Sequence, residues 1–318
     1  MARVCISGFY GWGNTGDEAI LLSIIDKLSD HEIIVSTTLP YTLLADYKSR
    51  LPDRVVDVRT VYDTRLDFDY YILGGGELGW GYGLRQAVCV LASDFIKAIH
   101  FGIGYNRNSR LNVKKMYPLF YSFLSLFDFV AVRDIETVEL LKDIGIKPHL
   151  TMCPALSLRE EPIAEIYKDA IVVVPRFSDF GREWDEKQMS WICDVLRDIE
   201  EKIVFVPFAH SDREGRLLDM QLCLEIKERI GRGLIFPNDG FTPREVKALI
   251  ASSKMVITGG RYHALLWALG ANKAFRIFPL AKERYSKISA LLKTYRMGNL
   301  HILEQKNDKL LQQWGVKR

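Results

Sequence analysis

Short apolar runs alternate with longer amphipathic segments along this chain, a pattern typical of parallel sheets covered by helices. The runs form two series of predicted strands. The first series is Val4–Ser7, Ile33–Ser36, Tyr70–Leu73, Ile99–Ile103 and Phe129–Val132. The second series is Ile171–Val174, Ile203–Val206, Leu234–Phe236, Met255–Thr258 and Ala274–Ile277. The pattern therefore predicts an α/β fold made of two Rossmann-like, doubly wound domains.

The stretch between the two series is the predicted linker. It lies between about Ala155 and Lys168, where prolines and a cluster of charges interrupt any regular period. A chain of 318 residues is also long for one core and comfortable for two domains. We assign residues 1–160 to an N-terminal domain and residues 161–318 to a C-terminal domain. We expect a cleft between them, with the carboxyl ends of the strands facing it.

Composition argues against several classes of function. A net charge of +3 without a dense run of Lys and Arg argues against nucleic-acid binding. The five cysteines form no C-x-x-C pair, so neither zinc nor a disulfide framework is predicted, and a reducing cytoplasm is expected. The apolar stretch 117–132 is too short to span a bilayer and predicts a buried helix leading into a strand. Peripheral contact with a membrane or a lipid-linked substrate is the alternative.

Polar residues and glycines follow the predicted strands in both halves. Open α/β sheets bind ligands at the carboxyl ends of their strands, so these residues are the candidate site. They are Asn14, Asp17, Gly75, Arg133, Arg176, His210, Asp212, Gly260, Arg261 and His263.

The first of these loops contains Gly11-x-Gly13-x-x-Gly16, which matches the dinucleotide-binding fingerprint. A dinucleotide site also requires an acidic residue at the end of the second strand, which here ends in Ser36-Thr37-Thr38. Asp17 and Glu18 place negative charge at the start of the following helix, which suits the helix dipole but not a pyrophosphate. We therefore predict that NAD does not bind at this loop.

The loop Gly259-Gly260-Arg261-Tyr262-His263 is the richest of these loops in candidate functional groups. Glycine N–H groups beside a helix N-terminus bind anions, and a guanidinium adds bidentate binding of phosphate or carboxylate. His263 falls in the first turn of the predicted helix, where the dipole lowers and a bound phosphate raises the pKa of an imidazole. It is a candidate acid or base, and a structural histidine hydrogen-bonded to backbone is the alternative.

Three further cations are candidate ligands of an anion: Arg133, Arg176 and Lys282. Several arginines on one cleft favour a small, multiply anionic ligand, whereas each arginine alone is also compatible with a strand-end salt bridge. His210 is either a second acid–base group or a loop residue. No H-E-x-x-H pattern predicts a metal site.

Five segments resemble the polysaccharide pyruvyltransferase family, in order and in approximate spacing: YGWGNTGDEAIL, LGGGELG, VRDIETVELLKDIG, VPFAHSD and GGRYHALLWALG. The resemblance extends from about Gly8 to Lys282, and the first loop and the R-x-H-A motif are its specific parts. It implies two domains arranged as in GT-B glycosyltransferases. It also implies transfer of pyruvate from phosphoenolpyruvate, as a ketal, to a sugar of a cell-surface polysaccharide or its lipid-linked precursor, without an essential metal or nucleotide.

The resemblance implies roles for these residues. Arg261 and His263 are expected to contact phosphoenolpyruvate in the C-terminal domain, and the N-terminal domain is expected to hold the acceptor. His263 is the expected general acid or proton carrier, and Asp17 or Asp212 the acceptor of sugar protons. The remaining expected ligands are Arg133, Arg176, Lys282, Gly260, Tyr262, His210, Asn14 and Gly75.

Two positions depart from the family pattern. Cys153 stands where the family commonly has aspartate before Pro-Ala, and Tyr262 stands where leucine is usual. Two other functions stay open, the first because it shares the two-domain cleft and the glycine loops, the second because of Cys153. A GT-B glycosyltransferase would use a nucleotide sugar, with Asp239 or Glu245 as a ribose ligand, and a catalytically silent relative would only bind an anion or polymer.

Overall fold

The computed structural model describes residues 1–40, 51–63, 65–76, 93, 96–105, 121–176, 186–209, 218–236, 242–278 and 285–315. The chain divides into two compact units. The first unit contains Met1–Trp12, Asp17–Leu158 and Ser289–Arg318. The second unit contains Gly13–Gly16 and Arg159–Ile288.

A parallel sheet forms the centre of the first unit. Its described strands are β1 (Arg3–Ser7), β2 (Glu32–Thr37), β3 (Val55–Thr60), β4 (Tyr70–Gly74), β5 (Lys97–Ile103), β6 (Phe129–Val132) and β7 (His149–Leu150). Their order is β3-β2-β1-β4-β5-β6-β7, and every pair is parallel. The strand order reverses between β1 and β4, as in a Rossmann fold. Helices α1 (Thr15–Lys27) and α2 (Ile135–Asp143) follow β1 and β6.

Continuous burial explains why the central strands read as unbroken apolar runs. Val4, Cys5 and Ile6 of β1 are fully buried, and the following β1 residue, Ser7, is buried as well. A parallel strand covered by helices on both faces has no solvent-facing side, so its residues do not alternate with polar ones.

A second parallel sheet forms the centre of the second unit. Its described strands are β8 (Ile171–Val174), β9 (Ile203–Phe205), β10 (Leu234–Ile235), β11 (Met255–Thr258) and β12 (Ala274–Ile277). Their order is β10-β9-β8-β11-β12, which reverses between β8 and β11. The helices are α3 (Glu186–Arg197), α4 (Leu218–Ile230), α5 (Pro243–Ser252) and α6 (Tyr262–Gly270). Every residue of α6 from Tyr262 to Leu269 is buried, because this helix is apolar on all sides.

The last two helices return the chain to the first unit. They are α7 (Tyr285–Met297), from Ser289 onward, and α8 (Leu300–Gln313). The side chain of Lys27 on α1 pairs with Glu304 at 2.5 Å and with Asp308 at 3.0 Å. The Asn307 amide Nδ2 donates to the carbonyl of Met152 at 2.9 Å. Residues 289–318 therefore group with the first unit, whereas the sequence placed them in the second, because no motif in them indicated these polar contacts.

The α/β fold class is confirmed, and all ten predicted strands are present with ends shifted by no more than two residues. The change from the first unit to the second falls between Leu158 and Arg159, inside the predicted linker. Two strands were not predicted, β3 and β7. The sequence of β3 is VVDVRT, whose charged residues break the apolar run, and β7 has only two residues.

The apolar stretch 117–132 lies partly outside the described residues. Phe129–Val132 is a strand, as predicted. Tyr121 and Leu126 are 45% and 53% exposed, so the segment before the strand is less buried than predicted. Across the described ranges, no helix is long and apolar enough to cross a membrane.

His100 on β5 gives the first unit a measurable pH dependence. Its ring is fully buried, its Nε2 lies 2.7 Å from the Tyr105 hydroxyl, and burial lowers its pKa from 6.5 to about 4. The unfolded chain therefore binds a proton between pH 6.5 and about 4 that the folded chain does not bind. Stability should be full above pH 6.5 and should fall by about 3 kcal/mol as the pH drops to 4.

Urea unfolding of His100→Gln between pH 7 and pH 4 checks this expectation. Glutamine does not titrate, so this part of the acid destabilisation should disappear. The exposed His301→Gln is the control and should retain the wild-type pH profile. An unchanged profile in His100→Gln would show that other groups cause the acid destabilisation.

Candidate active site

The reversal of strand order in the second unit brings two distant loops together. Arg176 follows β8, and Gly259-Gly260-Arg261 follows the neighbouring β11. The N–H of Gly259 donates to the carbonyl of Val174 at 2.9 Å, and a Cβ on Gly259 would lie only 2.8 Å from the backbone nitrogen of Arg176. Glycine is therefore required here for close approach of the two backbones. The Arg176 Nη1 donates to the carbonyl of Gly260 at 3.4 Å.

Arg261 is the N-cap residue of α6. Its backbone N–H donates to the Thr258 hydroxyl at 3.1 Å, and its side chain forms no capping hydrogen bond with the first turn of the helix. The Arg261 Nη2 donates to the carboxylate of Asp219, and the arginine side chain is 12% exposed. A guanidinium and a helix N-terminus thus lie at the same point, which is an arrangement that binds anions.

His263 lies in the first turn of α6 and is 8% exposed. Its Nδ1 would be 1.8 Å from a Cβ added to Gly16, so the imidazole packs directly against the Gly16 backbone. Tyr262 and Trp267 also contact the ring, with centroids 5.1 Å and 6.3 Å away. The histidine ring is therefore held in one place, with Nδ1 toward Gly16.

The glycine loop before α1 is already bound by protein groups. The N–H of Gly16 donates to Asn14 Oδ1 at 3.1 Å, and the N–H of Thr15 donates to the carbonyl of Phe208 at 2.9 Å. The N–H of Gly11 donates to Glu18 Oε1 at 2.7 Å. These amides would have to bind a pyrophosphate in a dinucleotide site, so the hydrogen bonds argue against NAD at this loop.

A second group of candidate residues lies in the first unit, around Arg133. This arginine follows β6 and is 3% exposed. A Cβ on Gly104 would lie 2.7 Å from Arg133 Nε and 2.8 Å from Asp134 Oδ2, so both side chains pack onto a bare backbone. Asp134 Oδ1 also accepts from the N–H of Thr137 at 2.8 Å, which makes Asp134 the N-cap residue of α2. Burial raises the pKa of Asp134, and the charge of Arg133 opposes that rise.

Cys153, at the position where the resemblance led us to expect an aspartate, lies beside Arg133 and is fully buried. Burial raises the pKa of its thiol to about 11, and the nearby guanidinium of Arg133 offsets only part of that rise. The thiol is therefore neutral at physiological pH. The carboxylate of Asp17, which also raises the pKa of Cys153, packs on Gly76, where an added Cβ would lie 2.5 Å from Asp17 Oδ1.

The predicted site residues therefore separate into two groups. The second unit brings together Asn14, Arg176, Gly260, Arg261, Tyr262 and His263, and the first unit contains Asp17, Gly75 and Arg133. Gly75 has a φ of +95° and packs against the Tyr10 ring, which gives it a structural reason to be glycine. His210, Asp212 and Lys282 lie outside the described residues.

Asp219 is the residue that sequence reasoning missed. It is fully buried in the first turn of α4 and contacts Arg261, which is 42 positions away in the chain. Its position in a helical first turn resembles that of an ordinary capping acid, so nothing local in the sequence indicated the contact. For metals, the described ranges contain no group of three or more His, Cys, Asp or Glu side chains able to hold an ion.

The two-sheet fold is similar to known enzymes that act on nucleotide sugars. The UDP-N-acetylglucosamine 2-epimerase from Rickettsia bellii has a TM-score of 0.57 at 11% identity, covering 98% of this chain and 95% of that chain. The Neisseria meningitidis UDP-GlcNAc 2-epimerase has a TM-score of 0.54 at 10% identity, covering 98% and 99%. A Polygonum tinctorium UDP-glucosyltransferase has a TM-score of 0.54 at 14% identity, covering 93% and 84%. These similarities show a GT-B-like fold alone.

The family follows from the sequence itself. The profile of the polysaccharide pyruvyl transferase family matches residues 14–280, which is most of the chain and includes both groups of candidate residues. The chain therefore belongs to the polysaccharide pyruvyl transferase family, as its sequence motifs indicated. Membership supports a pyruvyltransferase with a polysaccharide acceptor. No curated protein matches the chain.

The contact between Gly16 and His263 leads to a direct test. Alanine normally stabilises a helical position by about 1 kcal/mol relative to glycine. In Gly16→Ala, however, the methyl group would overlap the His263 imidazole. We expect the variant to lose about 1–3 kcal/mol of stability and most activity, because the ring must move.

Thermal melting and turnover of Gly16→Ala measure both effects. Gly298→Ala is the control, since an added Cβ there meets nothing within 4 Å. A Gly16→Ala protein as stable and as active as the wild type would contradict the packing of His263 on Gly16.

Proposed function

We propose that this chain transfers the pyruvyl group of phosphoenolpyruvate to two hydroxyls of one sugar, forming a cyclic ketal and releasing phosphate. The proposed acceptor is a sugar of a cell-surface polysaccharide or of its lipid-linked precursor. One observation carries the proposal: Arg176 and Arg261 flank a glycine turn at the N-terminus of α6, with His263 in the first turn of that helix. Family membership supports the same reaction class.

The chemistry of phosphoenolpyruvate suits this arrangement. The molecule carries a phosphate and a carboxylate on one small carbon frame, so it requires two cationic groups close together. Arg261 and the N-terminus of α6 are the proposed phosphate ligands, and Arg176 is the proposed carboxylate ligand. Lys282 is a further proposed carboxylate ligand, and Arg133 a further phosphate ligand.

The reaction also requires proton transfer. The methylene carbon gains a proton, and the first sugar hydroxyl forms a C–O bond to C2. The C2–O bond to phosphate then breaks, and the second hydroxyl completes the ketal. One hydroxyl proton ends on the new methyl group and the other leaves with phosphate. His263 is the proposed proton carrier, and Asp17 or Asp212 is the proposed base for the acceptor.

Transfer of a sugar from a nucleotide sugar is the alternative reaction to be tested against pyruvyl transfer. Of the two acids considered as ribose ligands, Asp239 lies outside the described residues. Glu245 accepts from the N–H of Thr242 at 2.6 Å and completes the capping box of α5. This carboxylate therefore has a structural role already, which supports pyruvyl transfer over sugar transfer.

Thermal melting distinguishes the two functions. A ligand present at 100 times its Kd stabilises the folded state by about 2.7 kcal/mol, which should raise the melting temperature by about 5–10 °C. We expect that rise with phosphoenolpyruvate and not with UDP sugars, GDP sugars or NAD. Arg261→Met should abolish it, whereas the exposed Arg197→Met should not. A rise with a nucleotide sugar and none with phosphoenolpyruvate would replace pyruvyl transfer with sugar transfer.

Kinetics of His263→Gln test its role in proton transfer. We expect the Kd for phosphoenolpyruvate to change by a modest factor and kcat to fall about 10²–10⁴-fold, because an acid–base group acts mainly on the transition state. Phosphate release with an acceptor extract as substrate measures the rate. Wild-type turnover in this variant would remove His263 from the mechanism, and the exposed His301→Gln provides the control for a histidine substitution.

A further inference from the structure

Asp219 is a fully buried carboxylate at the start of α4 that no step of the proposed reaction uses. Its Oδ2 accepts from the N–H of Phe208 at 3.1 Å, from the N–H of Ala209 at 3.0 Å and from Nη2 of Arg261. A buried charge is tolerated only when donors of this kind compensate for the lost hydration. The Asp219 carboxylate therefore ties the segment after β9 to the arginine of the candidate anion site.

The segment after β9 in turn holds the glycine loop. The carbonyl of Phe208 accepts from the N–H of Thr15 at 2.9 Å and from its hydroxyl at 3.0 Å. Ala209 forms an isolated antiparallel bridge with Asn14. Gly16, which follows Thr15 in this loop, packs on the His263 imidazole. These contacts therefore form a continuous chain from Arg261 to His263. The two residues at its ends are only two positions apart in the sequence.

Asp219 holds the guanidinium of Arg261 through one of its nitrogens. Asp219 binds Nη2, and within the residues that the structure describes the buried Nε has no hydrogen-bond partner. A buried N–H without a partner is destabilising, and an anion oxygen that accepts from it would remove that cost. Fixing Nη2 on Asp219 thus orients the rest of the guanidinium before a ligand arrives.

We propose that Asp219 is a positioning residue, which orients Arg261 for an anionic ligand and keeps the Asn14–Gly16 loop against His263. The ligand class is a phosphate-bearing anion. Its assignment as phosphoenolpyruvate rests on the proposed function, whereas the positioning role does not. Asp219 acts through Arg261 and His263 and touches no reacting atom.

A double-mutant cycle on Asp219 and Arg261 tests the proposal, with inorganic phosphate as the probe in calorimetric titrations. Asp219→Asn keeps the shape and an acceptor oxygen but removes the charge. We expect it to weaken phosphate binding about tenfold or more, and Arg261→Met to weaken it at least as much. The double variant should be no weaker than Arg261→Met alone, because residues that act through one another are not additive. Additive losses would overturn the proposal.

Glu245→Gln is the matched control. Glu245 is also an acid in the first turn of a helix of the same unit, and it also accepts from a backbone N–H, but it caps α5 and has no hydrogen bond to Arg261. Its substitution should leave phosphate affinity unchanged. An equal loss in Glu245→Gln and Asp219→Asn would show a general structural effect and would overturn the positioning role.

Hydrogen exchange keeps the proposal testable if Asp219→Asn does not fold. In the wild type, saturating phosphate should slow exchange in the peptide that contains Phe208 and Ala209, because these amides share the Asp219 carboxylate with Arg261. In Arg261→Met the same phosphate concentration should have no effect. Unchanged exchange in the wild type would overturn the proposal.

Phosphoenolpyruvate kinetics separate this inference from the proposed function. In Asp219→Asn we expect a raised KM together with a lowered kcat, since both Arg261 and His263 lose their support. Phosphate binding that depends on Asp219 and Arg261, without any phosphoenolpyruvate binding or turnover, would reject the proposed function and keep the positioning role. Turnover of phosphoenolpyruvate, together with additive losses in the Asp219–Arg261 double-mutant cycle, would keep the proposed function and reject the positioning role.

Discussion

Reversal of strand order within a parallel sheet is the constraint on which the rest of this structure depends. At such a point, the connections that follow two adjacent strands turn to opposite faces of the sheet, and the backbone between them is left accessible. In the second unit the reversal lies between β8 and β11. It makes neighbours of Arg176 and Arg261, and the bare backbone of Gly259 lets the two loops touch. Functional side chains that lie far apart in the sequence are thereby brought together at one edge of the second sheet.

The fold was predictable because its strongest determinants are local. The central strands are unbroken apolar runs, and α6 is apolar on all sides, so both were visible in the sequence. The edge strand β3 was not visible, since it is only partly buried and carries charges. The R-x-H motif indicated Arg261 and His263 as candidate site residues, because it is also a local pattern in the sequence. Asp219 and α8 act through contacts between distant parts of the chain, which no local pattern records.

The glycine loop shows why a short motif needs its surroundings. In a dinucleotide site the three glycines allow a pyrophosphate to approach the backbone. Here Gly11 and Gly13 have φ values of +75° and +67°, and Gly16 gives room to an imidazole. The same residue types therefore meet a side chain of the protein instead of a nucleotide. In the sequence, two features argued against a nucleotide at this loop: the flanking acids Asp17 and Glu18, and the lack of an acid in Ser36-Thr37-Thr38 at the end of the second strand.

Cys153 affects the charge around Arg133 in the first unit. A neutral buried thiol stands beside this arginine, at the position where the sequence resemblance led us to expect an aspartate. The neighbourhood of Arg133 consequently carries one negative charge fewer than an aspartate would give it. Among members of one family, this is the kind of difference that would alter the preference for acceptors of different charge while the reaction stays the same.

The return of the chain to the first unit affects the order in which the protein is made. The core of that unit is completed by α8, whose Asn307 and Glu304 bind Met152 and Lys27. During synthesis these partners leave the ribosome well before α8, and residues 159–288 of the second unit emerge in between. All described strands of the first unit precede that segment, so the first unit waits for α8 with part of its surface uncovered. Its nascent form is therefore the longer-lived target for chaperones and proteases.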